Sequence, residues 1–437
     1  PWDHFNKEGT DAIRWYMTSQ SAPWNPMNFD PNGVRETYAK MFLTLWNVHK
    51  FHLDYAILDK FDYGKDFISV EKRTALDRWI LSRLSSVAEI YHNQYVSWEF
   101  HKAARELENF VINDLSNWYV RRSRRRLWDE AESHDKLACQ STLHEVLTTV
   151  SKLMAPIAPF MPDKIHFDLT GSSVHTADWP LGSDLVPKNL PPQDLSLEKK
   201  MSIVRTLAET GRKIRVAVKR RQRLPCKEGW IVGGPKLDEF HSIIAEELNV
   251  ETLTTEKNLD RFQKIEVLPN HKVLGAKCRA DLPKVLAELS KSDPDSLLSD
   301  IENGVANLAG FEITLDDINI KRVEKEGYAA STFEVEDVGD ISLVLDVEIT
   351  ETLVSKGLAR EITRRIQSKR KDLDLDLEAS ISLKVCLESD SPKLNDEDWE
   401  YIKSETRSEP AELIIGDISK GFDSFQVEEN TIYFKVN

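Results

Sequence analysis

The stretch Trp98–Trp128, WEFHKAARELENFVINDLSNWYVRRSRRRLW, decides how the first half of this chain is read. Ala103, Leu107, Val111, Leu115 and Trp118 recur at steps of three and four, the spacing of one apolar helical face. Neither Pro nor Gly interrupts the run, so a single long helix is predicted. It ends on Arg121, Arg122, Arg124, Arg125 and Arg126. With Leu107 as origin, Val111, Leu115 and Trp118 lie at roughly 40°, 80° and 20°. Arg122 and Arg125 fall at roughly 60° and 0°, inside that stripe, while Arg121 lies near 320° and Arg124 near 260°. A guanidinium beside a core needs a carboxylate, and Asp114 at roughly 340° is positioned to supply one. The phase therefore predicts structural roles for Asp114, Trp118, Arg122 and Arg125. It leaves Arg121, Arg124 and Arg126 for phosphate contact, with structural ion pairs throughout as the bland alternative.

The flanking sequence repeats the helical spacing. Gly33–His52, Thr74–Asn93 and Asp135–Met154 each carry an apolar stripe, and the set predicts an antiparallel helical bundle. Pro156, Pro159 and Pro162 end one helix and start a shorter one. Pro180–Gln193 holds several Pro and no periodicity, the pattern of a linker. Beyond it the texture is α+β. Strands are expected at Ile231–Val232, Lys264–Leu268, Phe311–Val323, Phe333–Ile349, Ser380–Leu387, Leu413–Ile415 and Thr431–Val436. Helices are expected at Met201–Arg223, Leu282–Lys291 and Glu351–Lys371. Asp372–Glu378 alternates strictly and reads as a solvated edge strand; it lacks the Gly turn and spacing of a calcium loop. The expected division is a junction over 1–28, a helical domain over 29–180, a linker over 181–199 and α+β modules over 200–300 and 301–437.

Charge narrows the function. The chain has 58 Lys and Arg against 73 Asp and Glu, a net of −15, which disfavours indiscriminate binding to nucleic acid. Against that background, Met201–Arg223 carries eight basic residues and one acidic. As one helix it would align Arg205, Arg212, Arg215, Lys219 and Arg223 as a ridge about 27 Å long, able to track a phosphate backbone. Lys356–Lys371 carries seven against one and presents Arg360 and Arg364. Solvated faces paired with acids elsewhere are the alternative for both.

Catalytic signals are missing: no phosphate-cradling glycine loop, no nucleophile elbow and no HExxH. His49 and His52 read as a surface-to-core boundary, not a metal site. The four Cys form no CxxC pair, so no metal site is expected and a reducing, cytoplasmic setting is the default. No run of 18 apolar residues exists, and no membrane partner is expected. The start at Pro1 reads as a piece of something longer.

Several segments together resemble the C-terminal half of isoleucyl-tRNA synthetases, class I aminoacyl-tRNA synthetases, of the archaeal and eukaryotic type. PWDHFNKEGTDAIRWYMTSQSAPWNPMNF at Pro1–Phe29 looks like the segment after the family's lysine-rich loop. ALDRWILSRL, DLSNWYVRRSRRRLW, KLMAPIAPFMPDKI and SVHTADWP are similar to successive landmarks of the helical anticodon-binding domain. EELNVE, LPNHKVLGAKCR and GLAREITRRIQSKRK resemble the appendage that follows. RQRLPCKEGW and LEAS depart from the family's usual residues. The resemblance implies a portion that grips the anticodon stem-loop of the isoleucine tRNA. ATP and magnesium would be used by the intact enzyme, and the catalytic and editing domains would precede Pro1. The chain alone is then expected to be inactive. A valine-specific relative and a non-catalytic helical interaction protein are the alternative readings.

Overall fold

The helix Ala75–Val96 begins with a reciprocal cap: Thr74 Oγ1 accepts the Asp77 N–H at 3.3 Å, and Asp77 accepts the Thr74 N–H at 3.2 Å. It leads into the bundle that occupies the first of two units, Pro1–Ile203 and Val204–Asn437. The computed structural model describes residues 2–128, 133–181, 190–304, 306–375, 379–388, 391–416, 421–427 and 430–436.

In the first unit the chain runs helically from Phe100 to Trp128, as expected, but not as one α-helix. Phe100–Asn109 and Arg121–Trp128 are α-helical, and Phe110–Val120 between them has the wider i→i+5 bonding of a π-helix. Tyr38–Phe42 is a second wide segment, preceding Leu43–Leu58. Each wide turn takes up extra residues, so the angular step drops and side chains beyond Val120 leave the predicted phase. Leu107, Val111 and Leu115 are fully buried, as are Ile80, Leu84 and Val87 of Ala75–Val96 and Leu143, Val146 and Leu147 of His134–Met154. Full burial of each such side chain contributes roughly 1.5–3 kcal/mol, enough for three facing stripes to hold the bundle.

Helix Leu195–Ala217 carries the chain across the unit boundary. The second unit contains β1 (Cys226–Val232), β2 (Val250–Glu256), β3 (Gln263–Pro269), β4 (Asn307–Leu308), β5 (Phe311–Glu312) and β6 (Ile318–Glu324). These are followed by β7 (Tyr328–Val335), β8 (Gly339–Asp346), β9 (Ile381–Leu387), β10 (Ser408–Ile415), β11 (Asp423–Val427) and β12 (Asn430–Val436). One sheet has the order β2-β1-β8-β7, with β1 and β2 parallel across helix His241–Leu248. A second has the order β10-β9-β12-β11. Leu358, Ile362 and Ile366 of helix Glu351–Asp372 share its core with Leu383, Val385 and Ile432. Between β2 and β7, a smaller core gathers Leu274, Cys278, Val285, Leu289 and Ile301.

Several expectations change. The boundary expected at 300 runs through this unit, because β1 and β2 share a sheet with β7 and β8. Phe311–Val323 divides into β5 and β6 around a short turn, and Phe333–Ile349 is the end of one strand and the whole of the next, paired as a hairpin. Of the expected linker, residues 182–189 lie outside the described residues, and Leu195 already starts a helix. Asp372 closes a helix instead of opening a strand, and residues 376–378 of that stretch lie outside the described residues.

Candidate nucleic-acid interface

The arginine-rich helix Arg121–Trp128 is fixed to the bundle by Arg126. Its two terminal nitrogens donate to Asp77 at 2.8 and 2.7 Å, and its Nε donates to Asp135 at 2.8 Å. Asp77 is fully buried and also accepts from Tyr119 Oη at 2.5 Å. Burial pushes its carboxyl up, but the hydrogen bonds and charge of Arg126, with Tyr119 and Thr74, outweigh that and hold it below the ordinary carboxylate value. Arg126, expected at a phosphate, is instead committed to these carboxylates as a structural clamp. Arg125, expected inside the stripe, is exposed, as are Arg121 and Arg124, while Arg122 is half-buried. The one-residue exchange between Arg125 and Arg126 follows from the wide segment that precedes them. Trp118 is 5% exposed and belongs to the core, with Arg121 lying over its ring at 5.7 Å. Asp114 is buried and accepts from Arg83 Nε at 3.0 Å. The clamp carboxylate Asp77 was legible only as the fourth residue of a helix-start pattern, Thr74-Ala-Leu-Asp77, which signals a cap and nothing more.

The same unit holds a cleft of about 1380 Å³. Tyr63 and His144 stack at its wall with ring centroids 4.1 Å apart and planes 11° from parallel, with Phe61, Phe67, Lys60 and Lys152 also lining it. Tyr63 Oη donates to Glu145 at 2.8 Å, and Glu145 is gripped by both terminal nitrogens of Arg73 at 2.6 and 2.9 Å. His49 and His52 are each 1% exposed and so belong to the core, not to its boundary. Burial pushes the His52 imidazole down to about 3 and the His144 imidazole down to about 4. Among the described residues no group of three or more His, Cys, Asp or Glu is placed to hold a metal ion.

In the second unit the predicted ridge does not form. The helix stops at Ala217, and Lys219 takes a positive φ of 56°, so Lys219 and Arg223 lie outside it. Arg215 is 1% exposed. It donates to the carbonyls of Arg221 at 3.2 Å, Leu224 at 2.7 Å, Leu248 at 2.7 Å and Asn249 at 3.0 Å. Two of those carbonyls close helix His241–Leu248, where a buried cation also meets the negative end of the helix dipole. Arg215 is thus a fold-holding residue. Arg205 is half-buried, and Arg212 is exposed and 3.4 Å from Glu247. Of the third basic segment, Arg360 donates to Asn249 Oδ1, and Asn249 in turn donates to the Gln222 carbonyl at 2.8 Å. Arg364 is exposed. Of the cations singled out in the sequence, those exposed are Arg121, Arg124 and Arg125 in the first unit, and Arg212, Lys219, Arg364 and the Glu361-paired Arg223 in the second.

Residues 77–229 match the family described as the anticodon-binding domain of tRNA ligase. The chain is 34% identical over 398 residues to an isoleucine–tRNA ligase of Clostridium acetobutylicum, covering 88% of this chain and 37% of that protein. It is 34% identical over 395 residues to one of Bacillus thuringiensis, with the same two coverages. Against that of Cytophaga hutchinsonii it is 32% identical over 457 aligned positions, covering 100% of this chain and 40% of the relative. The chain thus spans about two fifths of the length of the relatives it matches. It is homologous to isoleucine–tRNA ligases and carries a tRNA-ligase anticodon-binding domain followed by sheet-containing modules.

Proposed function

We propose that this chain is the tRNA-gripping portion of a class I isoleucine–tRNA ligase and binds the anticodon stem-loop of the isoleucine acceptor. The observation that carries the proposal lies within the matched anticodon-binding domain. Arg126 is clamped on buried Asp77, and that clamp presents Arg121, Arg124 and Arg125 outward on one rigid helix. A helix so anchored presents its guanidiniums to phosphates without further ordering of its backbone. Arg212, Lys219 and Arg364 serve as further phosphate contacts in the second unit. The Tyr63–His144 stack offers an aromatic wall against which an unpaired loop base can lie.

ATP, magnesium and isoleucine are handled by catalytic and editing domains outside this chain, so purified 1–437 gives no isoleucine-dependent ATP–pyrophosphate exchange. The archaeal and eukaryotic type remains our reading of the segments quoted above, although the relatives compared are bacterial. A cytoplasmic location fits the same role, and no described helix is long and apolar enough to cross a membrane. Filter-binding titrations of the whole chain against isoleucine, valine and unrelated tRNAs test the proposal. Preference for the isoleucine acceptor supports it. Preference for the valine acceptor makes the chain a valine relative, and absence of tRNA binding favours a protein-binding scaffold.

A further inference from the structure

A second cavity, of about 540 Å³, lies wholly within the second unit. Its walls are the segment Arg221–Leu224, helix Glu351–Asp372 and the strands β11 and β12. At Gly357 on one wall, a Cβ would stand 3.2 Å from Leu224 Cδ1 and 3.4 Å from Leu224 Cα. A glycine inside a helix is unfavourable, so its place here is explained by the close approach of the Arg223–Leu224 backbone.

The charge in this cavity is unbalanced. Glu361 is 9% exposed and is shared by two cations, Arg223 and Arg365, the latter through Nε at 3.1 Å. Arg365 also lies over the Phe425 ring at 5.3 Å. One carboxylate thus orients two guanidiniums, and exposed Arg364 adds a third positive charge nearby. Partial burial first, then repulsion from Arg364 and Arg365, pulls the Arg223 guanidinium below its ordinary value. Each of the two guanidiniums makes one hydrogen bond to Glu361 among the described residues, which leaves most of its donors for a ligand. The remaining lining supplies the apolar side chains Leu224, Val354 and Val427 and the amides Gln222, Gln426 and Asn430. Guanidinium forks suit phosphate oxygens, an apolar wall suits a base, and side-chain amides pair with base edges. The volume lies within the range of small-ligand cavities, about 300–1,000 Å³.

We infer that this cavity binds one nucleotide, with its phosphate on Arg223 and Arg365 and its base against Leu224 and Val427. The nucleotide is either free or turned out from a single-stranded RNA; the second source rests on the tRNA reading above, the first does not. Calorimetric titration of the full chain with the four nucleoside 5′-monophosphates, the matching nucleosides and a short single-stranded RNA tests this. Arg223→Gln and Arg365→Gln are compared with the parent; each leaves Glu361 one arginine partner, and circular dichroism checks the fold. The expected result is binding of at least one phosphorylated probe. Either substitution should weaken it about tenfold, as should loss of the phosphate from a monophosphate that binds. Binding of a mononucleotide assigns a free ligand, and binding of the RNA alone assigns an RNA strand. Silence of every probe, equal binding by nucleosides, or unchanged binding by both folded variants overturns the inference. Filter binding of the isoleucine tRNA is run in parallel. Loss of mononucleotide binding with tRNA affinity retained, or the reverse, separates failure of one reading from failure of the other.

Discussion

The two basic helices, Arg121–Trp128 in the first unit and Leu195–Ala217, whose arginines fall in the second, look alike in sequence and hold their arginines differently. The first commits Arg126 to a buried carboxylate and presents Arg121, Arg124 and Arg125 outward. The second commits Arg215 to four backbone carbonyls, two of them at the end of a neighbouring helix, and ends before its ridge is complete. A basic run therefore reports on nucleic-acid binding only after its structural members are subtracted. The subtraction depends on partners far away in sequence: Asp77 for Arg126, and Leu248 and Asn249 for Arg215.

Removing each anchor should have the largest effect on stability. Asp77→Ala takes the buried partner from Arg126 and should cost the first unit about 3–5 kcal/mol, seen as a lower urea midpoint for that unit. Arg215→Met should cost the second unit less, about 2–4 kcal/mol, because carbonyls tolerate loss of a donor better than a buried charge tolerates loss of its counter-ion. Equal and negligible losses would mean that neither arginine anchors its helix.

Acid should distinguish the units next. The unfolded His52 imidazole binds a proton below about pH 6.5. The folded one stays neutral down to about 3, and the folded His144 down to about 4. Between those limits the unfolded chain holds more protons, so first-unit stability falls as pH falls, by up to about 1.4 kcal/mol per pH unit for each histidine. His52→Leu should flatten that slope in chemical denaturation at pH 7 and pH 5. An unchanged slope would show that His52 is charged in the fold. Asp77 adds to the loss only at lower pH, below the ordinary carboxylate value, as its depressed folded value is approached. The smallest stability effect is expected at Arg124: Arg124→Gln on the exposed face should move it by no more than about 0.5 kcal/mol.

Much of this architecture was legible in the sequence. Thr74–Asn93 and Asp135–Met154 correspond to the helices Ala75–Val96 and His134–Met154, and Glu351–Lys371 to Glu351–Asp372. Strong periodicity with a Ser or Thr cap was enough in each. The site was less legible, for identifiable reasons. The wide segment Phe110–Val120 has no signature in residue type, yet it moves the inward position from Arg125 to Arg126. The early end of Leu195–Ala217 reflects the positive φ at Lys219, a conformation no glycine announces. Strand β2, VETLTTE, has only Val250 and Leu253 buried, so its alternation was too weak to read. The Tyr63–His144 stack joins residues far apart in the chain, which spacing cannot show.

The most direct test of the account compares Arg124→Gln with Arg126→Gln by the salt dependence of tRNA binding, under conditions where circular dichroism shows both to be folded. If the exposed arginine meets a phosphate and the clamped one does not, Arg124→Gln should flatten the log–log salt slope by about 0.7–0.9. Arg126→Gln should leave the slope of its folded fraction unchanged. A flattened slope for Arg126→Gln together with an unchanged one for Arg124→Gln would contradict the division between clamp and contact.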